Sequence, residues 1–462
     1  MALVGTMLVV LVVLVRPQEF IPAFQSFSLL NAVTVLAVVG IAIESALGQQ
    51  KLYWTPQMPW LLGFAGWCVL VTVRRMGVDG FQVVGETVGL STLFMLIVAS
   101  AGATVSRWRA LAATLVILGT LIALTCIDQA RRPAECIAIN TSGLGGDRSG
   151  EGIADGRPCD SEYACEQQGK PRTTYACEKV GLFETFTEGR RVRWRGTLGD
   201  PNELALLLGA LMPLAFALCS GKKGVWVAMA VAAVMGVLLW CVVLTGSRGG
   251  QLVVLTVLGV YFVRRYGVRG LLIGAILALP VLLFGGRAGE EAESSSLERI
   301  DLLYEGMDMI RSYPVLGVGV NQFMDHVYGA MTAHNSYVLA AAELGMPGCL
   351  LWTTLVYSSV KIPWVLALRS TRDLDARLRP LAVALVVSFL GILVGIFFLS
   401  FCYKAVLFVY FGLSGALYGA AKGECPALDI RVSLKEVARV AALDVVVLAL
   451  VLFYSRFEAA HA

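Results

Sequence analysis

One histidine is a candidate for proton transfer. His334 is one of three histidines in the 462-residue chain, and Asn335 and Ser336 follow it. Asparagine and serine are preferred helix N-cap residues, so the sequence predicts a helix over residues 337–344. The N-terminus of a helix attracts anions and disfavours protonation of a nearby imidazole. A neutral imidazole suits a general base near pH 7, and the alternative is a histidine that caps the helix or packs a loop.

The predicted helix carries two candidate supporting residues. Tyr337 lies in its first turn, and Glu343 lies at its end, just before the sequence Leu-Gly-Met-Pro-Gly. Glu343 is either an acid on the helix surface or a partner that orients the catalytic group. The residues alone leave both readings open.

A second candidate feature is an arginine-rich stretch. Arg191, Arg193 and Arg195 alternate with apolar residues, so in an extended segment they point to one face. Three guanidinium groups beside a membrane can bind phosphate, or they can form a surface cluster that contacts lipid headgroups. Asp200 and Asn202 follow and are expected either to support this site or to cap the next helix.

Two further arginines are candidate anion ligands. Arg248 lies in the turn Thr-Gly-Ser-Arg-Gly-Gly between two apolar runs. An arginine at membrane depth is costly and is a functional candidate by default, although an ordinary turn with an arginine reaching towards water remains the alternative. Arg299 starts a pattern typical of a short amphipathic helix on the membrane surface. Its alternative is a simple ion pair with a nearby carboxylate.

The composition explains where these residues must lie. The chain is 57% hydrophobic and 15% charged, whereas soluble domains carry about 25% charged residues. It is therefore an integral membrane protein, and its net charge of +4 does not indicate a nucleic-acid partner. Its apolar runs lie near residues 2–15, 28–46, 60–73, 82–101, 108–126, 202–219, 224–245, 250–263, 269–286, 336–360, 380–399, 401–421 and 437–455. We expect an all-α polytopic fold with about 12–13 transmembrane helices.

Charge predicts the orientation of these helices. Basic residues at 222–223, 264–269 and 361–379 lie in alternate short loops, which the positive-inside rule assigns to the cytoplasm. Both long polar segments then lie outside, and the N-terminus lies inside. Residues 2–15 are not followed by a small-residue cleavage site, so we expect a retained helix. Residues 437–455 either cross the membrane or lie at its surface.

Four cysteines share one hydrophilic loop. Cys136, Cys159, Cys165 and Cys177 predict two disulfides and an oxidising compartment. Three pairings are open. A zinc site is the alternative, but the loop contains neither a CxxC pair nor a histidine. The other seven cysteines lie singly in or near apolar runs and are expected to pack as small apolar residues.

Together these residues predict a reaction type. Arginines outside the membrane suit a lipid-linked diphosphate, and a neutral histidine suits activation of an acceptor hydroxyl. Binding the charge of the diphosphate leaving group could replace the metal that many glycosyl transferases use. The sequence shows no metal-ligand cluster in either outer segment. We therefore expect glycan transfer with no metal and no other cofactor.

At these motifs the chain resembles the O-antigen ligase and O-antigen polymerase superfamily. The resemblance rests on Arg195-Gly before Asp200-Pro-Asn, on Gly-Ser-Arg248-Gly, and on Pro-Val-Leu-Gly-Val-Gly before His334-Asn-Ser-Tyr and Glu343-Leu-Gly-Met-Pro-Gly. It covers residues 195–400 well and the first 130 loosely. The sequence Arg-Pro-Gln-Glu at residues 16–19 resembles the exopolysaccharide-polymerase branch.

The resemblance implies a bacterial inner-membrane enzyme with a periplasmic active site. Such an enzyme transfers a glycan from undecaprenyl diphosphate to an acceptor hydroxyl. Arg195, Arg248 and Arg299 would hold the diphosphate, and His334 would act on the acceptor. The implied partners are the lipid-linked donor, the bilayer, an acceptor on a glycan, lipid A-core or protein, and candidate polysaccharide-export proteins.

We expect the chain to divide into five parts. These are residues 1–126 (N-terminal helices), 127–200 (periplasmic loop with four cysteines), 201–286 (central helices), 287–335 (periplasmic active-site loop) and 336–462 (C-terminal helices). The long cysteine loop and the apolar run after residue 430 depart from the family pattern. The arginine-containing sequence at residues 16–19 favours a polymerase slightly over a ligase. A lipid or glycan transporter is the competing class, although transporters tend to show internal symmetry and broken helices.

Overall fold

The fold is a bundle of helices with one small sheet. The computed structural model describes residues 1–139, 152–167, 169, 173–221, 224–267, 269–270, 272, 290–328, 331–368 and 375–459. The helices are α1 (Ala2–Val15), α2 (Pro22–Gln25), α3 (Leu29–Ala46), α4 (Met58–Met76), α5 (Asp79–Val84), α6 (Leu90–Ala101), α7 (Val105–Arg131), α8 (Glu162–Gln167), α9 (Pro201–Leu218), α10 (Val225–Leu244), α11 (Arg248–Tyr266), α12 (Glu290–Ser312), α13 (Ser336–Leu368), α14 (Leu378–Ile396), α15 (Ala405–Glu424) and α16 (Leu434–Ala459). A π-helical turn, Gly85–Gly89, joins α5 to α6.

The predicted class, an all-α polytopic membrane protein, is confirmed. Within the described ranges, nine helices have the length and hydropathy to cross a membrane, and α1 and Arg248–Tyr261 are shorter apolar helices. Residues 437–455 belong to one of the nine, α16. The apolar run at 269–286 lies almost wholly outside the described residues.

Four of the described helices form the centre of the bundle. α9, α13, α14 and α15 are mostly buried inside the protein, whereas α3, α10 and α16 expose most of their surface. Helices that are apolar all round suit either a buried core or a lipid-facing position, and here packing decides between the two. α9 contacts α7, α10, α11 and α14, while α15 packs on α6. The centre therefore holds the N-terminal ends of α9, α13 and α15 in fixed positions.

The cysteine loop contains a folded subdomain. Its strands are β1 (Ala134–Ile139), β2 (Gly152–Pro158) and β3 (Thr174–Lys179), in the antiparallel order β2-β1-β3. Disulfides join Cys136 to Cys165 and Cys159 to Cys177. The sequence did not predict this sheet. The preceding helix, α7, is also longer than predicted, because it continues to Arg131, five residues past the apolar run. Three Sγ atoms lie within 4.8 Å of one another, but a disulfide-bonded cysteine offers no thiolate to zinc.

A break in α13 holds the second polar segment. Gly345 has a φ of 69°, and Pro347 has no N–H to donate to the Glu343 carbonyl. That carbonyl instead accepts the Gly319 N–H at 2.8 Å, and the Ala342 carbonyl accepts the Val318 N–H at 3.0 Å. The glycine-rich loop before the histidine is therefore bonded to carbonyls that the helix break releases.

Candidate functional site

The arginine segment, residues 190–195, follows a turn at Arg190 and reaches Arg195 in an extended backbone conformation. Val192 and Trp194 are buried in the helical core, and the Trp194 indole donates to the Leu14 carbonyl at 3.1 Å. The arginines between them therefore point away from this core. Only 8–9% of Arg191, Arg193 and Arg195 is exposed, so their guanidinium groups are largely enclosed by protein.

Arg191 joins three motifs that are distant in sequence. Its Nε donates to the Thr245 carbonyl at 2.9 Å, and its Nη2 donates to Asn202 Oδ1 at 3.0 Å. The next residue, Val192, donates its N–H to the Leu244 carbonyl at 3.3 Å. The arginine segment thus contacts both the start of α9 and the turn at residues 245–247.

Arg193 and Arg195 face the loop before them. Arg193 Nε donates to the Phe186 carbonyl at 3.0 Å, and Arg195 Nη2 donates to the Phe183 and Glu184 carbonyls. Burial lowers the pKa of the Arg195 guanidinium, against the opposing effect of Glu19 and Glu184. Arg195 Nε is buried with no hydrogen-bond partner among the described residues.

The sequence at residues 16–19 contacts this segment. The Arg16 side chain packs on Gly196, where a Cβ would lie 2.3–2.4 Å from three of its atoms. Gly196 also has a φ of 55°, so glycine is required there for both space and conformation. Arg16 pairs with Glu19 at 2.5 Å. Arg16 was not among the predicted ligands, although it lies in a motif that carried the family resemblance.

The turn at residues 245–247 positions Arg248. Ser247 is buried and caps α11, because its Oγ accepts the Gly250 N–H at 3.0 Å. Arg248 is the exposed first residue of that helix. Since Arg191 binds the Thr245 carbonyl, the predicted first and second arginine motifs lie side by side.

His334 is held at the start of α13. Asn335 caps the helix as predicted, since its Oδ1 accepts the N–H groups of Tyr337 at 2.9 Å and Val338 at 3.0 Å. His334 is half-buried and has a φ of 48°, in the left-handed region that non-glycine residues rarely adopt. Such local strain persists only where the surroundings fix the backbone, and it often marks functional positions.

The α14–α15 loop, residues 397–404, joins the histidine to the arginine motifs. Asn335 Nδ2 donates to the Phe397 carbonyl at 3.0 Å, and Ser336 Oγ donates to the Leu399 carbonyl at 2.6 Å. On its other side, Phe398 packs against Gly249, where a Cβ would lie 3.6 Å from the Phe398 Cβ. The loop therefore contacts both the α13 start and the α11 start.

The α14–α15 loop was not predicted from the sequence. Residues 380–399 and 401–421 read as nearly continuous apolar runs, but the structure leaves 397–404 outside α14 and α15. Lys404 lay inside the second run and pairs with Glu203 at 2.9 Å. A lysine within an apolar run is itself a functional signal, and it could have identified the loop.

The remaining candidates occupy supporting positions. Asp200 caps α9 by accepting the Asn202 N–H at 2.7 Å. Tyr337 packs edge-on against Trp352, with ring centroids 5.5 Å apart. Glu343 is buried and accepts the Phe323 N–H at 3.0 Å, so it holds the segment that precedes His334. Arg299 is half-buried in α12, a longer helix than predicted, which packs against α13 and α16.

Residues 205–353 match a protein-family model described as O-Antigen ligase. The matched region includes Arg248, Arg299, His334 and Glu343. It confirms the resemblance to the O-antigen ligase superfamily and supports an O-antigen ligase or polymerase type of function in general terms. The match suggests a glycosyltransferase-like ligase, and the apolar helices indicate a multi-pass membrane protein. No curated protein matches the chain.

Proposed function

We propose that this chain, with its O-antigen ligase region at residues 205–353, transfers a glycan from undecaprenyl diphosphate to an acceptor hydroxyl at the periplasmic face of a bacterial inner membrane. The observation that carries this proposal is the set of contacts joining the arginine segment, the turn at 245–247 and the histidine segment. Arg191 bridges the first two, and the α14–α15 loop connects the third.

The proposed roles follow from charge and position. Arg195 and Arg248 bind the diphosphate, with Arg191 and Arg193 as enclosed cations behind them and Arg299 as a further ligand. Guanidinium groups suit this task because they stay charged and match phosphate oxygens in pairs. Charge that develops on the leaving diphosphate is then stabilised by groups already in place.

His334 is the proposed proton acceptor. Its imidazole takes the proton of the acceptor hydroxyl as that oxygen attacks the anomeric carbon. The bond from this carbon to the diphosphate oxygen breaks, and its electron pair leaves with undecaprenyl diphosphate. Direct displacement of this kind inverts the anomeric configuration. The reaction needs no metal in this scheme, because cationic side chains stabilise the leaving group.

The orientation rests on where the basic residues lie. Arg107, Arg109 and Lys361 lie at the ends of their helices opposite the candidate site, where Arg109 bonds the Leu218 carbonyl at the end of α9. Under the positive-inside rule this end is cytoplasmic. The disulfide-bonded subdomain follows the other end of α7, which fits an oxidising periplasm.

The decisive test is transfer by purified protein in detergent with a defined lipid-linked donor, with and without a chelator. We expect turnover in both conditions. Replacement of the proposed base, His334→Ala, should lower kcat by about 10²–10⁴-fold. His326→Ala is the matched control, because its ring binds only the nearby Gln322 carbonyl at 2.8 Å among the described contacts. Equal activity of wild type and His334→Ala would contradict the mechanism.

The acceptor distinguishes the variants of this function. We favour a polysaccharide polymerase because of the sequence at residues 16–19, which now lies against the arginine segment. Deleting the gene should then leave lost or single-repeat polysaccharide. Long chains stranded on undecaprenyl would instead indicate a ligase for lipid A-core or protein. A lipid or glycan transporter becomes the better explanation if wild type shows no turnover with a proven donor.

A further inference from the structure

Lys404 forms an ion pair at the candidate site. It is the residue immediately before α15, and its Nζ lies 2.9 Å from Glu203 Oε1. The Lys404 side chain is 37% exposed, whereas that of Glu203 is 9% exposed. The ammonium group therefore remains partly accessible from solvent while its carboxylate partner is enclosed.

The pair adjoins the contact made by Arg191. Arg191 binds Asn202 at 3.0 Å, and Asn202 directly precedes Glu203 in the first turn of α9. Two cations from distant segments thus bind consecutive residues of one helix. The nearby acids are Glu203 itself, Asp200 as the helix cap, and Glu188, whose carboxylate lies 3.5 Å from Arg191.

The loop that carries Lys404 also contacts the histidine segment. Ser336 Oγ accepts the Phe401 N–H at 2.8 Å, three residues before Lys404. Phe398, in the same loop, packs on Gly249 beside Arg248. Lys404 therefore belongs to a stretch that contacts the starts of α9, α11 and α13, where the predicted ligands lie.

A buried amide near the same helices lacks a partner. Gln251 is 1% exposed, and its Nε2 has no hydrogen-bond partner in the described part of the chain. It follows Gly250, which packs closely on Ala205, two residues after Glu203. An unsatisfied buried donor costs free energy. An acceptor oxygen of a bound ligand at this position would remove that cost.

We propose that Lys404 is a further diphosphate-binding residue of the donor site, held by Glu203 until the donor binds. This inference rests on the proposed function. A lysine ammonium group on a flexible four-carbon stem can exchange a carboxylate oxygen for a phosphate oxygen. Glu203 compensates the lysine charge in the unliganded protein. The diphosphate takes its place because it offers more negative charge and more acceptor oxygens.

Farnesyl diphosphate is a suitable probe, because it presents an isoprenoid diphosphate without a glycan. Its affinity for the purified full-length protein is measured by calorimetry in neutral detergent, together with the donor KM and kcat in the transfer assay. Lys404→Ala should weaken farnesyl diphosphate binding about tenfold and raise the donor KM similarly. Lys404→Arg should retain most of the affinity, and Glu203→Gln should keep or increase it.

Lys361→Ala is the matched control. Lys361 forms an equivalent pair with Glu436 at 2.6 Å, which joins α13 to α16 away from the site. This variant should bind farnesyl diphosphate as wild type does. A second arm measures binding of vesicles containing phosphatidylglycerol. If Lys404→Ala weakens only vesicle binding, Lys404 contacts a lipid headgroup and the proposal is overturned.

Two further outcomes separate this proposal from the proposed function. If wild type transfers glycan while Lys404→Ala binds and reacts equally well, the lysine role fails and the transferase function stands. If Lys404→Ala and Glu203→Gln weaken binding equally and unfold at equally lowered temperatures, the pair is only structural. If wild type neither binds farnesyl diphosphate nor turns over a proven donor, both proposals fail.

Discussion

Two irregular segments meet at the candidate site, and they are held in place by different means. The stapled segment, residues 132–200, rests on a sheet, two disulfides and arginines bonded to backbone carbonyls. The docked segment, residues 313–335, has no disulfide and bonds to carbonyls released by the break in α13. The first contains covalent cross-links, whereas the second is held by hydrogen bonds to the break in α13 and to neighbouring helices, such as that from the Val320 N–H to Thr72 Oγ1 at 3.1 Å.

This difference explains why each segment contains its particular residues. The stapled segment lies between α7 and α9 and contains all four disulfide-bonded cysteines. The docked segment runs along α13, where Pro347 leaves the Glu343 carbonyl without a partner inside the helix and the Gly319 N–H supplies one. A Cβ at Gly317 would lie 2.3 Å from the Glu343 backbone, so glycine fits there. Disturbing either support should affect one segment and spare the other.

The largest effect is expected at the helix break. In Gly345→Ala, the added Cβ would lie 2.1 Å from the Val315 carbonyl oxygen, at a residue whose φ is 69°. Clash and strain together should destabilise the protein by at least about 3 kcal/mol. The measurement is thermal unfolding in detergent. Proteolysis of the residual folded protein should begin within residues 313–335.

Gly48→Ala separates strain from clash. Gly48 has the same φ of 69°, but a Cβ there would meet nothing within 4 Å. It should therefore cost only about 1 kcal/mol. Equal destabilisation by the two variants would mean that the close contact between the loop and the helix break is unimportant.

A smaller effect is expected from the disulfide nearest the arginines. Cys159 pairs with Cys177 in β3, and the next residues of β3 bond the segment that carries the arginines, through Glu178 Oε1 to the Gly189 N–H at 2.8 Å. The double change Cys159→Ser with Cys177→Ser should cost about 3 kcal/mol for a closed loop of this length. Hydrogen exchange should rise in residues 183–195 and stay unchanged in residues 313–335.

The other disulfide provides the comparison. Cys136 pairs with Cys165, which lies on α8. Its removal should loosen the sheet while disturbing the arginine segment less. Faster exchange in the docked segment after either change would show that the two segments are not independently supported.

The smallest effect concerns pH. Burial raises the pKa of Glu178, against the opposing effects of bonds from Thr187 and Gly189. Because the folded-state pKa lies above the unfolded one, the contribution of Glu178 to stability is complete at low pH and falls as pH rises through the raised pKa. Glu178→Gln stays neutral and lacks this loss. Exchange in residues 183–195 should therefore increase with pH more in wild type than in the variant, after correction for intrinsic exchange rates.

Local chemistry made several features predictable. Hydropathy located the helices, and the N-cap preferences of Asn335 and Asp200 placed the starts of α13 and α9 correctly. Period-two alternation predicted that Arg191, Arg193 and Arg195 share one face, and Val192 and Trp194 between them are buried in the helical core. Each of these inferences depends on neighbours a few residues apart, so a single sequence carries enough information for them.

Long-range placement was not predictable in this way. Four cysteines allowed three pairings. The register of β1 with β3 places Cys136 opposite Cys177, yet the disulfides join Cys136 to Cys165 of α8 and Cys159 to Cys177. Glu343 read equally well as a surface acid, yet it is buried against the Phe323 N–H.

The sequence by itself determined that this is a multi-helix membrane protein with arginine and histidine motifs in its polar interruptions, because bilayer insertion depends on local hydropathy. Only the tertiary structure decided that Arg191 bridges two of these motifs and that Lys404 joins them. Arg191 and Thr245 are 54 positions apart in the sequence, and Lys404 and Glu203 are more than 200 positions apart. Packing between helices brings such residues together, and no local pattern in the chain encodes it.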